Sequence, residues 1–164
     1  MDPVARLVAI EEIKQLKARY FRMIDTRNFD GVAQIFCRDG KFDLSEALQD
    51  LDGARIGPAG PVMHGRDAIV GYIKEVLTRQ TSVHHGHGHE ITIDSETEAH
   101  GVIALEDYVR GADRRTNLLH GAGHYHETYR FEEGAWYIAS SKVTRLFKDV
   151  DTRQIEGWNS QGAE

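Results

Sequence analysis

Four stretches in the second half of the chain decide its architecture: VHHGHGHEITI (Val83–Ile93), EAHGVIALEDYVR (Glu98–Arg110), LLHGAGHYHETYRF (Leu118–Phe131) and AWYIASSKVTRLF (Ala135–Phe147). Turn-forming residues separate them at Asp94–Thr97 and Glu132–Gly134, which predicts long strands joined partly as hairpins. The first half has the other periodicity. From Val4 to Asp25, Ile10, Ile13, Leu16, Tyr20 and Ile24 recur at spacings of three and four, the pattern of an amphipathic helix. A second, short helix is expected over Phe29–Phe36 with Asn28 as its cap, then a strand at Lys41–Leu44. Ser45–Met63 holds Gly53, Gly57, Pro58, Gly60 and Pro61 and reads as a long loop. Ile69, Tyr72, Ile73, Val76 and Leu77 predict a further helix over Gly65–Leu77. Helices first and strands after give an α+β layer architecture.

The composition sets limits on function. A chain of 164 residues has the size of one domain, and such a domain buries about two thirds of its unfolded surface. Hydrophobic residues at 40% and charged residues at 28% are the balance of a globular protein. A net charge of -6 and the lack of a basic face argue against a nucleic-acid partner, because phosphate binding needs Lys and Arg to replace counterions. Cys37 is alone, so no internal disulfide forms, which suits a reducing compartment. The N-terminal MDPVARLVAIEEIKQLK is charged and periodic, unlike a secretory signal, and no apolar run approaches the roughly 20 residues of a membrane span. A cytoplasmic protein without membrane contact is expected. Residues 1–149 read as one domain and 150–164 as a polar tail, in which Ile155 and Trp158 are the residues able to dock.

Strand parity picks out two charges. Ile103, Leu105, Asp107 and Val109 share one face of their strand, apolar but for a single carboxylate. Tyr137, Ala139, Val143, Arg145 and Phe147 share a parity on the last strand, apolar but for a guanidinium. A lone buried charge costs several kcal/mol, so such a residue is paired or used. Asp107 and Arg145 therefore read either as one structural ion pair or as functional groups, and the two readings are compatible. On the first helix Tyr20 lies in the apolar stripe and Asp25 about 140° away on the wheel. They face one cavity only if the helix end turns inward or the cavity wraps around it. By position alone they read as a core aromatic and a solvated helix-end residue.

Histidines cluster in HHGHGH (His84, His85, His87, His89) and HGAGHYH (His120, His124, His126). Imidazoles at alternate positions suit zinc. No carboxylate or cysteine spacing completes a ligand motif, however, and no metal is expected. The interleaved Gly86, Gly88, Gly121 and Gly123 leave room for a ligand or mark a bulge.

KARYFRMIDTRNFD (residues 17–30), SVHHGHGHEITIDSETEAHGVIALEDYV (82–109) and EEGAWYIASSKVTRLF (132–147), in that order and spacing, resemble a SnoaL-like domain. More narrowly they resemble the bacterial bile-acid dehydratase branch, and more distantly scytalone dehydratase. The likeness covers most of the chain and is weakest over Asp39–His64 and at the C-terminal tail. It implies an NTF2-like (cystatin-like) cone: a strongly curved mixed β-sheet packed against N-terminal helices around a pocket. It also implies five catalytic residues: Tyr20, Asp25 five residues on, His84 of the S-x-H-x-G-H motif, Asp107 of the L-E-D motif, and Arg145. His85, His124 and Tyr125 are expected as substrate contacts. Simple alternation puts His85, His87 and His89 with Ile91 and Ile93, and His84 on the opposite face. A bulge at Gly86 or Gly88 would reverse that, and without one His85 is the better base.

An imidazole, with an unperturbed pKa of about 6.5, suits a general base. With Asp25 behind it and Tyr20 near the developing oxyanion, it would support elimination of water with no cofactor. The expected substrate is a hydrophobic small molecule: a hydroxylated, carbonyl-bearing polycyclic, steroid-like or aromatic compound. Isomerisation or polyketide cyclisation through the same enolate is the alternative. A non-catalytic ligand-binding or dioxygenase small-subunit-like protein is another, because the fold alone does not choose. The resemblance further implies a homotrimer, with a dimer second.

Overall fold

Helix α1 (Pro3–Asp25) starts at Asp2, whose carboxylate accepts hydrogen bonds from the backbone N–H groups of Val4 at 2.9 Å and Ala5 at 3.0 Å. Pro3, which has no N–H to leave unpaired, fills the first helical position. The helix buries Ile13, Leu16, Lys17, Tyr20, Phe21 and Ile24 along one face. In the computed structural model, which describes residues 1–55 and 58–150, that face lies against the inner side of a six-stranded sheet. The proposed docking residues of the tail, Ile155 and Trp158, fall outside the described residues.

Asn28 caps α2 (Phe29–Val32) by accepting from the Gly31 N–H, as its sequence position suggests. This helix is shorter than expected and does not reach Phe36. Phe36 is fully buried and is drawn into the sheet, opposite Ile138. Strand β1 therefore spans Phe36–Asp43, not Lys41–Leu44. The stretch read as loop ends in a short strand, β2 (Val62–His64), which pairs antiparallel with β1. After Gly65, α3 (Arg66–Leu77) lays Ile69, Ile73 and Leu77 over the core. Four strands complete the chain: β3 (Thr81–Ile93), β4 (Glu98–Arg110), β5 (Asn117–Glu132) and β6 (Ala135–Val150). The order is β2-β1-β6-β5-β4-β3, with β1 parallel to β6 and the other pairs antiparallel. The curved, unclosed, mixed sheet beneath N-terminal helices is the α+β architecture expected.

The core fills the space between α1 and α3 and the inner sheet face, where Ile103, Leu105, Tyr125, Tyr129 and Ile138 are buried. Each such side chain contributes roughly 1.5–3 kcal/mol through the apolar area it removes from water. Among the described residues no helix is long and apolar enough to cross a membrane.

Register slips decide which side chains face inward. Between His87 and Glu90 the β3–β4 pairing shifts, and Gly88 takes φ +58°, a left-handed conformation that glycine adopts without a Cβ penalty. Ser82, His84 and Gly86 point inward before the bulge; His89, Ile91 and Ile93 do so after it. Two slips in the β5–β6 pairing, at Thr128/Tyr129 and Ala122/Gly123, break the single parity expected on the last strand. The inward residues are Trp136 and Ile138, then Ser141, Val143 and Arg145, then Lys148. Tyr137, Ala139 and Phe147 do not share the face of Arg145, and Phe147 is exposed beside His120.

Candidate functional site

The last residue of α1, Asp25, meets the first half of β3. Its Oδ1 accepts from Ser82 Oγ at 2.8 Å and lies 2.7 Å from His84 Nδ1, and its Oδ2 accepts from the His84 backbone N–H at 2.9 Å. A carboxylate offers only acceptors. Nδ1 therefore carries a ring hydrogen, and in the neutral imidazole the lone pair is then on Nε2. The Phe21 ring, one helical turn before Asp25, stacks on the imidazole with planes 10° apart. Gly86 makes this contact possible: a Cβ there would stand 2.2 Å from the Phe21 ring. The interleaved glycines thus make room for Phe21 and for the bulge.

His84 Nε2 faces Asp107, whose Oδ2 is 4.0 Å away. Asp107 is gripped from its other side by Arg145, with Nη1 to Oδ1 at 2.6 Å and Nη2 to Oδ2 at 2.8 Å. Two unit charges 4 Å apart near a protein surface interact by about 4 kcal/mol. The two-point guanidinium contact offsets the Asp107 charge that faces Nε2. The hydrogen-bond partnership of Asp107 with Arg145 outweighs desolvation and raises the guanidinium above its usual value, although burial is the largest single effect and acts the other way.

Tyr20 stands 140° around the wheel from Asp25, yet both reach the site, because the sheet wraps the helix. Asp25 meets the edge strand β3 while Tyr20 packs edge-on against Phe36 of β1 and Tyr125 of β5. Burial is the main cause that drives the Tyr20 phenol far above its usual value, with Glu127 adding to it. Burial does the same to Tyr125, so both phenols are hydrogen-bond donors at working pH.

Six of the eight expected site residues, Tyr20, Asp25, His84, Asp107, Arg145 and Tyr125, lie on the inner side. His85 and His124 do not. His85 is exposed on the outer face, 3.9 Å from Glu106, because the bulge lies beyond it at Gly88 and leaves His84 inward. His124 occupies an even position on β5, next to His126 on that outer face, while Gly121, Gly123 and Tyr125 point in.

Sequence reading missed a second buried cluster. Lys17 and Glu127 are fully buried with Nζ 2.6 Å from Oε1, and the Tyr129 and Ser141 hydroxyls donate to Glu127 at 2.7 and 2.8 Å. Lys17 Nζ sits over the Tyr125 ring at 3.3 Å and the Tyr20 ring at 4.4 Å. The signals were present: Lys17 stands one turn after Ile13 and one before Phe21, and Glu127 lies between Tyr125 and Tyr129 in parity. Ser82, two residues before His84, was missed in the same way.

The profile of the SnoaL-like domain family matches residues 5–142. The chain belongs to that family. Solved structures share the SnoaL-like fold. A protein named as a candidate scytalone dehydratase from Novosphingobium aromaticivorans is 19% identical, covers 91% of each chain and superposes with a TM-score of 0.77. A protein of unknown function from Mycobacterium tuberculosis is 25% identical over 88% of this chain and 76% of its own, with a TM-score of 0.71. A hexachlorocyclohexane dehydrochlorinase from Novosphingobium barchaimii is 14% identical over 91% of this chain and 94% of its own, with a TM-score of 0.71. The SnoaL-like domain thus has neighbours of dehydratase and dehydrochlorinase type.

Proposed function

We propose that the chain is a cofactor-independent lyase of the dehydratase type. Its substrate is a hydroxylated, carbonyl-bearing polycyclic or aromatic compound, with steroid-like compounds first among them. The observation that carries this reading is the Asp25–His84 pair, in which Nδ1 lies 2.7 Å from Asp25 and Nε2 faces Asp107 and Arg145. Nε2 takes a proton from the carbon next to the carbonyl, and Asp25 stabilises the imidazolium that results. Tyr20, kept protonated by its burial, donates a hydrogen bond to the enolate oxygen. The electron pair of the broken C–H bond forms the new double bond as the C–O bond breaks. The proton on His84 passes to the departing hydroxyl, water leaves, and the base is regenerated. Asp107 and Arg145 orient the substrate oxygen. The names of two structural neighbours describe removal of water and of hydrogen chloride, the same class of step.

The test is a screen of hydroxylated steroid and aromatic ketones for loss of water, followed by His84→Ala and Asp25→Asn on the best substrate. Both variants are expected to lose at least about 10²-fold in turnover with unchanged thermal unfolding. Wild-type turnover in both would end the proposal. Assembly as a homo-oligomer, a trimer before a dimer, belongs to the same reading, with Val83 and Phe147 as apolar residues exposed on the outer sheet face; light scattering in solution reads it.

A further inference from the structure

The inner face carries one more cation than the elimination uses. His84, Asp107, Gly121 and Lys148 stand directly opposite one another on β3, β4, β5 and β6, one row across the sheet. The register slip opposite Ala122/Gly123 turns Lys148 inward, two residues past exposed Leu146. Lys148 is 7% exposed, and its Nζ has no hydrogen-bond partner among the described residues. The carboxylates nearby are not hydrogen-bonded to it. Both oxygens of Asp107 are held by Arg145, and Asp50 accepts from the Ala54 N–H. Arg145 leans over Gly121, where a Cβ would stand 3.1 Å from its Nη1. Its Nε is likewise without a partner among the described residues.

A buried ammonium without a hydrogen-bonded partner is expensive and persists mainly where something is to be bound. Burial pulls Lys148 below the usual lysine value; Asp50 opposes this, while Arg145 and Arg55 add to it. No carboxylate is in hydrogen-bond contact with the ammonium among the described residues. Three strand spacings separate the two ends of the row, roughly 14 Å before curvature shortens it, the length of two to three fused rings.

We propose that Lys148, flanked by Arg145, binds an anionic oxygen group, such as a carboxylate, that the substrate carries at the end remote from the carbon deprotonated by His84. The inference rests on the lyase reading for the word substrate, but the subsite itself does not depend on turnover. Within that substrate class, compounds that also carry an acidic group are therefore preferred over neutral ones.

Calorimetric titration of the full chain with 2-naphthoate and with neutral 2-naphthamide tests the proposal. Wild type is expected to bind naphthoate at least tenfold more tightly than naphthamide. Lys148→Met is expected to bring the two affinities within twofold by weakening naphthoate alone, while Lys148→Arg keeps most of the preference. His124→Ala, on the outer face, is expected to keep the preference in full, and because the titration reads binding and not turnover, its result is separate from the fate of the elimination reading. Because Lys148→Met removes an unpaired buried charge, its melting temperature should rise by about 2–4 °C. A wild type that does not prefer naphthoate, including one that fails to bind it, overturns the proposal. So does a Lys148→Met variant that retains the preference. A lower melting temperature in Lys148→Met would show that the fold itself supplies a partner, and would overturn it equally.

Discussion

Replacing Lys17 by Met removes one ammonium and little volume, and it strands a carboxylate at the centre of the fold. Glu127 is fully buried, with Lys17 as its countercharge at 2.6 Å and only the hydroxyls of Tyr129 and Ser141 to replace it. Removing one partner of such a pair costs about 3–5 kcal/mol. At a urea dependence of about 2 kcal/mol per molar, the unfolding midpoint should fall by roughly 2 M. The double variant Lys17→Met, Glu127→Gln keeps an acceptor for both hydroxyls and discards both charges. It should lie within about 1 kcal/mol of wild type, giving a coupling of 2 kcal/mol or more across the cycle.

The pH dependence supplies an independent sign. Burial, opposed by Glu127, lowers Lys17 to about 8 in the folded protein from 10.5. Below pH 8 the lysine is protonated in both states and the folded state bears the whole penalty. Between about 8 and 10.5 the unfolded chain binds more protons, so wild-type stability rises with pH. The deficit of Lys17→Met should therefore widen through that window. Equal midpoints for wild type and Lys17→Met, with no coupling in the cycle, would refute the buried pair and the inward face of α1 that carries it.

Other consequences are as direct. Arg145→Met leaves Asp107 buried without its guanidinium and should cost about 3–5 kcal/mol by urea unfolding, and Asp107→Asn in that background should recover most of it. Gly86→Ala places a methyl 2.2 Å from the Phe21 ring and should destabilise by about 1–3 kcal/mol; Phe21→Leu, which shortens the ring side, should offset part of that.

Much of this arrangement is legible in the chain, and the gaps have physical causes. The helix from Val4 to Asp25 and the strand Glu98–Arg110 follow from uninterrupted periodicity, and parity alone turns Asp107 and Arg145 inward. The Asn28 cap predicts a helix running on to Phe36, but the chain leaves the helix after Val32. The strand partner of Phe36, Ile138, lies about a hundred residues away, and local pattern carries no trace of that pairing. Bulges are the other blind spot. The one at Gly88 decides between His84 and His85, and the two slips along β6 regroup Tyr137, Ala139, Phe147 and Lys148. A glycine marks where a slip can occur, but only the pairing shows whether it does. Lys17 and Glu127 escaped notice because each looks like a surface residue until its partner is in view.

The central claim is that Asp25 holds the His84 ring hydrogen on Nδ1 and frees Nε2 to act as a base. Long-range proton–nitrogen correlation spectra of the His84 ring at pH 8.5, above the ordinary imidazole range, measure this directly in wild type and in Asp25→Asn. The account predicts a protonated Nδ1 and a bare Nε2 in wild type, with the hydrogen moving to Nε2 in the variant. A wild-type ring already protonated on Nε2, or a tautomer indifferent to Asp25, would contradict it.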